Sequence, residues 1–120
     1  MWPVVSSEWD LASLFSEGRP ISAGTILCRQ NDNPQSLAFV ADGWVTTVRL
    51  ERDGREKGVA LYRQGSLLGL AELLAGQKYL DTAITLSLSR LRWVSAEAFS
   101  DLIETDRGFS RQIFHALSRQ

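Results

Sequence analysis

The chain has 120 residues, 44% hydrophobic and 22% charged, enough for one domain with its own core and no disulfide support. A net charge of −1 argues against a polyanion-binding surface, and the single cysteine, Cys28, excludes an internal disulfide and suits a reducing compartment. No apolar run approaches the ~20 residues that span a bilayer, and the opening MWPVVSSEWD lacks the regions of a secretion signal, so a cytoplasmic location without membrane contact is expected.

A short helix opens the chain. Ser7, three residues before Asp10, makes a capping-box-like start, Glu8 favours the first turn, and Leu11, Leu14 and Phe15 share one face. Gly18 ends that helix and Pro20 lies just beyond, which gives a leading segment over residues 1–22. Trp2 and Trp9 flank it and are expected to pack against the β-structure that follows.

Residues 23–94 carry a β pattern. Thr25–Arg29 is a short strand, Gln30–Gln35 a loop by composition, and Ser36–Ala41 a second strand closed by the Asp42–Gly43 turn. Trp44, Thr46, Val48 and Leu50 alternate with Val45, Thr47, Arg49 and Glu51, which puts the two sets on opposite faces. Asp53–Gly54 turns the chain, and Glu56–Tyr62 returns as the hairpin partner. Further on, Ile84, Leu86 and Leu88 alternate with Ala83, Thr85 and Ser87, and Leu91–Val94 completes the β region. Short strands at this spacing indicate a sandwich or jelly roll rather than a parallel sheet.

One stretch inside this region breaks the pattern. Gln64–Ser89 passes from a strand end through a glycine turn to one helical turn at Leu70–Leu74, stops at Gly76, and returns to strand. So brief a change of period, in β surroundings, marks a binding or regulatory insert.

The last part, residues 95–120, is helical. Ser95 caps a helix with Glu97 near its positive end and Phe99, Leu102 and Ile103 on its apolar stripe. Thr105–Gly108 breaks it, after which Phe109, Ile113, Ala116 and Leu117 recur at helical spacing. No stop signal follows, so this final helix is expected either to continue in a longer protein or to offer its stripe to a partner.

This order of elements resembles a known family. A leading helix, a roll with Asp-Gly-Trp-Val and Arg-Asp-Gly-Arg-Glu turns, a Gly65–Gly69 segment running into a short helix, and two closing helices are similar to the cyclic-nucleotide-binding domain, in particular the sensor half of the Crp/Fnr transcription regulators. The resemblance covers roughly Gly24–Gln120. It implies a mainly β fold, a double-stranded β-helix or jelly roll, as a single domain over 1–120 with an N-terminal helix and C-terminal helices. It also implies a ligand-sensing module whose last helix pairs two subunits and whose DNA contacts come from a helix-turn-helix that these 120 residues do not contain. Phe109, Ile113, Ala116 and Leu117 are then the expected homodimer contacts.

The cassette that holds the cyclic phosphate in such domains reads approximately Phe-Gly-Glu-Leu-Ala-Leu-Leu, followed after a loop by Arg-Ala or Arg-Ser. Its glutamate takes the ribose hydroxyl, its arginine pairs with the phosphate, and its short helix turns its first amides toward that anion. Here Leu68 and Gly69 match, but Leu70 stands at the glutamate position and Asp81 at or beside the arginine position, followed by Thr82 and Ala83. Glu72 in the acidic role does not repair this, because Lys78 is the only cation between Arg63 and Arg90. The pocket expected from Gly69, Leu70, Glu72, Lys78, Asp81, Thr82 and Ala83 is therefore degenerate, with no cyclic AMP or cyclic GMP as cofactor. Lys78 and the amides near Gly69 are what is left to hold a smaller anion.

Other chemistry finds little support. His115 is the sole histidine, too few for the multi-histidine metal site of a cupin-like enzyme, and no catalytic residues or metal ligands are assigned. Cys28 cannot supply the four thiolates of an iron–sulfur cluster, and it and His115 are poor haem ligands. Arg49, Arg52, Arg55, Lys57 and Arg63 are interleaved with Glu51, Asp53 and Glu56 as a mixed, solvated face. The alternative to a sensor is a stand-alone protein-interaction domain without ligand.

Overall fold

The computed structural model describes residues 2–4 and 14–118. Its strands are β1 Ser16–Ile21, β2 Ile26–Cys28, β3 Ser36–Asp42, β4 Val45–Leu50, β5 Glu56–Tyr62, β6 Leu67–Leu68, β7 Thr82–Thr85 and β8 Ser89–Ser95. The helices are α1 Leu70–Ala75, α2 Ala96–Thr105 and α3 Arg107–Ser118. Every strand pairing is antiparallel, in two four-stranded sheets ordered β1-β8-β3-β6 and β2-β7-β4-β5. The fold is mainly β, a jelly roll with helices at its C-terminal end, as the strand spacing implied.

The composition of β3 explains how the layers stack. Leu37, Ala38, Phe39 and Val40 are all buried, because this strand is covered on both faces. Leu37 and Phe39 join Leu67, Leu70, Val94, Phe99, Phe109, Ile113 and Ala116 in one cluster, between the first sheet and the helices. Ala38 and Val40 point the other way, into a second cluster with Val45, Tyr62, Leu68, Ala83 and Leu91 between the two sheets. Alternation along one strand thus feeds two cores.

Turn chemistry follows the glycines. Gly43, at φ 105°, turns β3 into β4, and Gly54, at φ 87°, turns β4 into β5, both in the left-handed region that glycine enters without strain. β5 pairs with β4 from Val45 opposite Tyr62 to Leu50 opposite Glu56, with one irregularity after Thr47. The Ser95 hydroxyl accepts from the Ala98 amide at 3.1 Å and caps α2 as expected.

Four expectations change. The leading helix is expected mostly over residues 5–13, which lie outside the described residues, and Ser16–Ile21 is strand β1 paired with β8 rather than the end of a helix. Gly18 is there because a Cβ at its position would run into the Leu91 carbonyl on the neighbouring strand, a close approach only glycine permits. β7 stops at Thr85, and Leu86 and Leu88 stand exposed in the turn before β8, so their alternation with Ser87 is not strand periodicity. The break between the closing helices is Asp106 alone, whose carboxylate accepts from the Phe109 amide at 3.0 Å and starts α3 at Arg107, with Gly108 inside the helix.

The fourth correction concerns α3. Phe109, Ile113 and Ala116 are buried in the first cluster, with the Phe109 ring edge-on to Phe99 at 5.8 Å, and Leu117 packs partly against them. Their apolar stripe is used inside the chain and is not free for a second subunit. The outward side of α3 carries Phe114 instead, 68% exposed.

Candidate functional site

The glycine turn predicted at the cassette is present. Gly69 takes φ 90° and caps α1, and Gly76 takes φ 66° at its other end, so the helical turn is bounded by two residues that accept left-handed backbone. A Cβ on Gly69 would stand 3.1 Å from the Tyr79 ring, which packs tightly over the turn.

The cassette residues do not converge as one lining. Leu70 is fully buried and directed into the first cluster, and Ala83 is buried in the second, so neither faces a pocket. The Thr82 hydroxyl accepts from the Gln30 amide at 3.0 Å, and Lys78 is exposed to solvent. Glu72 and Asp81 do converge. They line a cavity of about 240 Å³ together with Trp2, Arg49, Val59, Ala60, Tyr62 and Leu80. That volume is below the roughly 300–1,000 Å³ of most small-molecule pockets. Two larger depressions, about 460 and 490 Å³, gather residues around Cys28 and around Gln30, and Thr82 is the only cassette residue in either.

Two residues of this cavity escaped the sequence pattern. Arg49 reaches it from β4, where Val48 pairs with Thr82 of β7, and its Nε lies 2.7 Å from Asp81 Oδ1. The Asp81 carboxylate holds the guanidinium above its ordinary pKa through that hydrogen bond and its charge. The sequence window from Arg63 to Arg90 held only Lys78, but the fold supplies its cation from outside the window. Arg49 shares its side of β4 with the buried Val45 and Thr47, but its own side chain stays 40% exposed, so it reaches Asp81 from the solvated rim of the cavity.

Trp2 is the second. Its indole Nε1 donates to Glu72 Oε2 at 2.7 Å and Oε1 at 3.1 Å. Its ring lies 5.0 Å from that of Tyr62 at an interplanar angle of 36°, its own amide donates to the Tyr62 hydroxyl at 3.2 Å, and it is 8% exposed. The neighbouring backbone ties the segment down. Pro3 O accepts from the Leu67 amide at 2.8 Å, and Val4 bridges Ser66. Packing of Trp2 against the β-structure agrees with expectation, whereas Trp9 lies outside the described residues.

With two sheets of this order, the α1 turn and the closing helices in place, comparison with known proteins is decisive. The cyclic nucleotide-binding domain family matches residues 18–106. The chain belongs to that family. Among solved structures, this cyclic nucleotide-binding domain is similar to the catabolite activator protein of Thermus thermophilus, with 28% identity over 96% of the chain and 54% of that protein, at a TM-score of 0.78. The c-di-GMP responsive global regulator CLP of Xanthomonas campestris shares the fold at 21% identity, 92% and 54% coverage and TM-score 0.80. So does the sensor domain of the transcriptional regulator DNR of Pseudomonas aeruginosa, at 19%, 92% and 73%, and 0.73. The domain spans about half the length of the full regulators it matches. No curated protein sequence matches it.

Among the described residues of the domain, no three His, Cys, Asp or Glu side chains gather as a metal site, and no helix is long and apolar enough to cross a membrane. Burial pushes the Cys28 thiol up to about 11, so it is a protonated, weakly nucleophilic group at neutral pH.

Proposed function

We propose that the chain is the ligand-sensing and dimerising half of a Crp/Fnr-type transcription regulator, regulatory and not catalytic, whose cassette does not take cyclic AMP or cyclic GMP in the usual way. The observation that carries this reading is the Arg49–Asp81 pair. Where the resembled cassette has an arginine for the phosphate, this chain has a carboxylate at or beside that position, and the guanidinium that lines the cavity among the described residues is bound to it at 2.7 Å. Leu70, at the glutamate position, is turned into the core, so the ribose contact is missing as well. Each charge-assisted hydrogen bond is worth about 1.5–3 kcal/mol, so losing the arginine alone weakens a nucleotide ~10–100-fold. The Asp81 charge adds repulsion.

In this reading the domain works in the cytoplasm as a C2 homodimer through the outward side of α3, around Phe114, and reaches DNA through a helix-turn-helix outside these 120 residues. Binding at the roll shifts how the paired helices meet and so repositions the DNA-binding half. Isothermal titration of the purified chain with cyclic AMP and with cyclic GMP is expected to give no heat of binding at micromolar concentrations. Micromolar affinity for either nucleotide overturns the reading of the cassette.

A further inference from the structure

Glu72 and Trp2 make a contact between distant parts of the chain. Seventy residues separate them, and the indole N–H is shared between both carboxylate oxygens while the ring lies against Tyr62. The charges around it are unbalanced. The cavity has two carboxylates, Glu72 and Asp81, and one guanidinium, and Arg49 is engaged by Asp81. Among the described residues Glu72 has no cationic partner, and its negative charge is met by the neutral N–H of Trp2. A carboxylate facing an aromatic ring over a tyrosine is a receptor for a flat N–H donor, and a positive charge on that donor strengthens both contacts.

We propose that Trp2 is a built-in ligand of this pocket, and that the pocket takes a flat nitrogen heteroaromatic carrying an N–H donor and a positive charge, which displaces Trp2 from Glu72. The proposal rests on the domain being a ligand sensor. The small volume of the cavity then has a cause, since Trp2 fills the space that an incoming ring needs. Displacement of Trp2 pulls on Pro3 and Val4, which hold the rim through the Leu67 amide and the Ser66 bridge, so occupancy is reported at the N-terminal segment. A pocket closed by its own side chain also binds any ligand more weakly, by the fraction of chains in which it stands open.

Tryptamine is a suitable probe, with indole-3-acetate as its anionic counterpart. Calorimetric titration is expected to show tryptamine binding at least ~10-fold tighter to Trp2→Ala than to the wild-type chain, a loss of similar size on adding Glu72→Gln, and no binding of indole-3-acetate to either. Equal affinities with and without Trp2, or indifference to Glu72→Gln, overturn the proposal. Should Trp2→Ala not fold, Trp2→Phe, which keeps a ring but removes the N–H that holds Glu72, takes its place in both comparisons. The Trp2 indole proton, assigned by its disappearance in Trp2→Phe, is expected to shift upfield and exchange faster with solvent, and an unmoved resonance overturns the contact. Cyclic AMP and cyclic GMP titrated into Trp2→Ala test the other reading separately, because their binding contradicts the degenerate cassette and leaves the tryptamine result standing.

Discussion

Thr47 is buried at the middle of β4, and its hydroxyl makes no hydrogen bond. An orphaned buried hydroxyl costs roughly 1–3 kcal/mol, and valine has nearly the same shape without the polar atom. Thr47→Val is therefore expected to stabilise the fold by about 1 kcal/mol, seen as a higher urea midpoint at an unchanged slope. An equal or lower midpoint contradicts it. The same strand shows why Arg49 was hard to find in the sequence. The more apolar of its two alternating sets, Trp44, Thr46, Val48 and Leu50, is not the inward one, and Trp44 and Leu50 stand exposed while Val45 and Thr47 are buried. Hydrophobicity alone points to the wrong face of a strand when the interior holds a polar cavity. Glu72 and Asp81 drew attention because the resemblance to a cassette gave their positions a meaning. The packing of Trp2 on the β-structure was legible, but its bond to Glu72 was not, since that partner is seventy residues away.

At the scale of the element, α3 separates two roles that a helical repeat cannot distinguish. The periodicity of Phe109, Ile113, Ala116 and Leu117 gives the stripe correctly but not its target, which is the first sheet and α2. Ile113→Asp places an uncompensated charge in that cluster and is expected to cost about 4–5 kcal/mol or more, enough to unfold the domain in a thermal scan. Phe114→Asp, on the exposed side, is expected to leave stability within ~0.5 kcal/mol of the parent and to convert the proposed dimer to monomer in sedimentation velocity. A dimer that survives Phe114→Asp moves the subunit contact away from this helix. α2 needed no such correction, because its cap at Ser95 and its buried Phe99 are local signals that the fold does not override.

For the molecule as a whole, three ionisable groups link the second core to pH. Burial first, then the nearby carboxylates, raises the Cys28 thiol to about 11, and burial likewise raises Tyr79 and, less far, Tyr62. In the unfolded chain the thiol ionises near its ordinary 9.0, whereas the folded chain keeps its proton to about 11, so the unfolded state loses protons first. Stability is accordingly full below pH 9 and falls as pH climbs from 9 towards 11. The thermal midpoint is expected to drop between pH 7.5 and pH 10.5, on the order of a few degrees for each kcal/mol lost, and Cys28→Ala to remove part of the drop. A flat profile across that window contradicts the burial of these groups. At this scale the sequence was most legible. Turn glycines and short strands announce a roll of antiparallel sheets, while the pairing of β1 with β8 was hidden by Gly18 and Pro20, which read locally as helix-breaking punctuation.

The Trp2 amide donates to the Tyr62 hydroxyl, so anything spliced ahead of Trp2 is joined to the chain beside the aromatic pair of the cavity. A purification handle there, especially one rich in histidine, would compete for the same carboxylate as an exogenous amine. Recombinant versions intended for ligand screening belong with their handle at the opposite end.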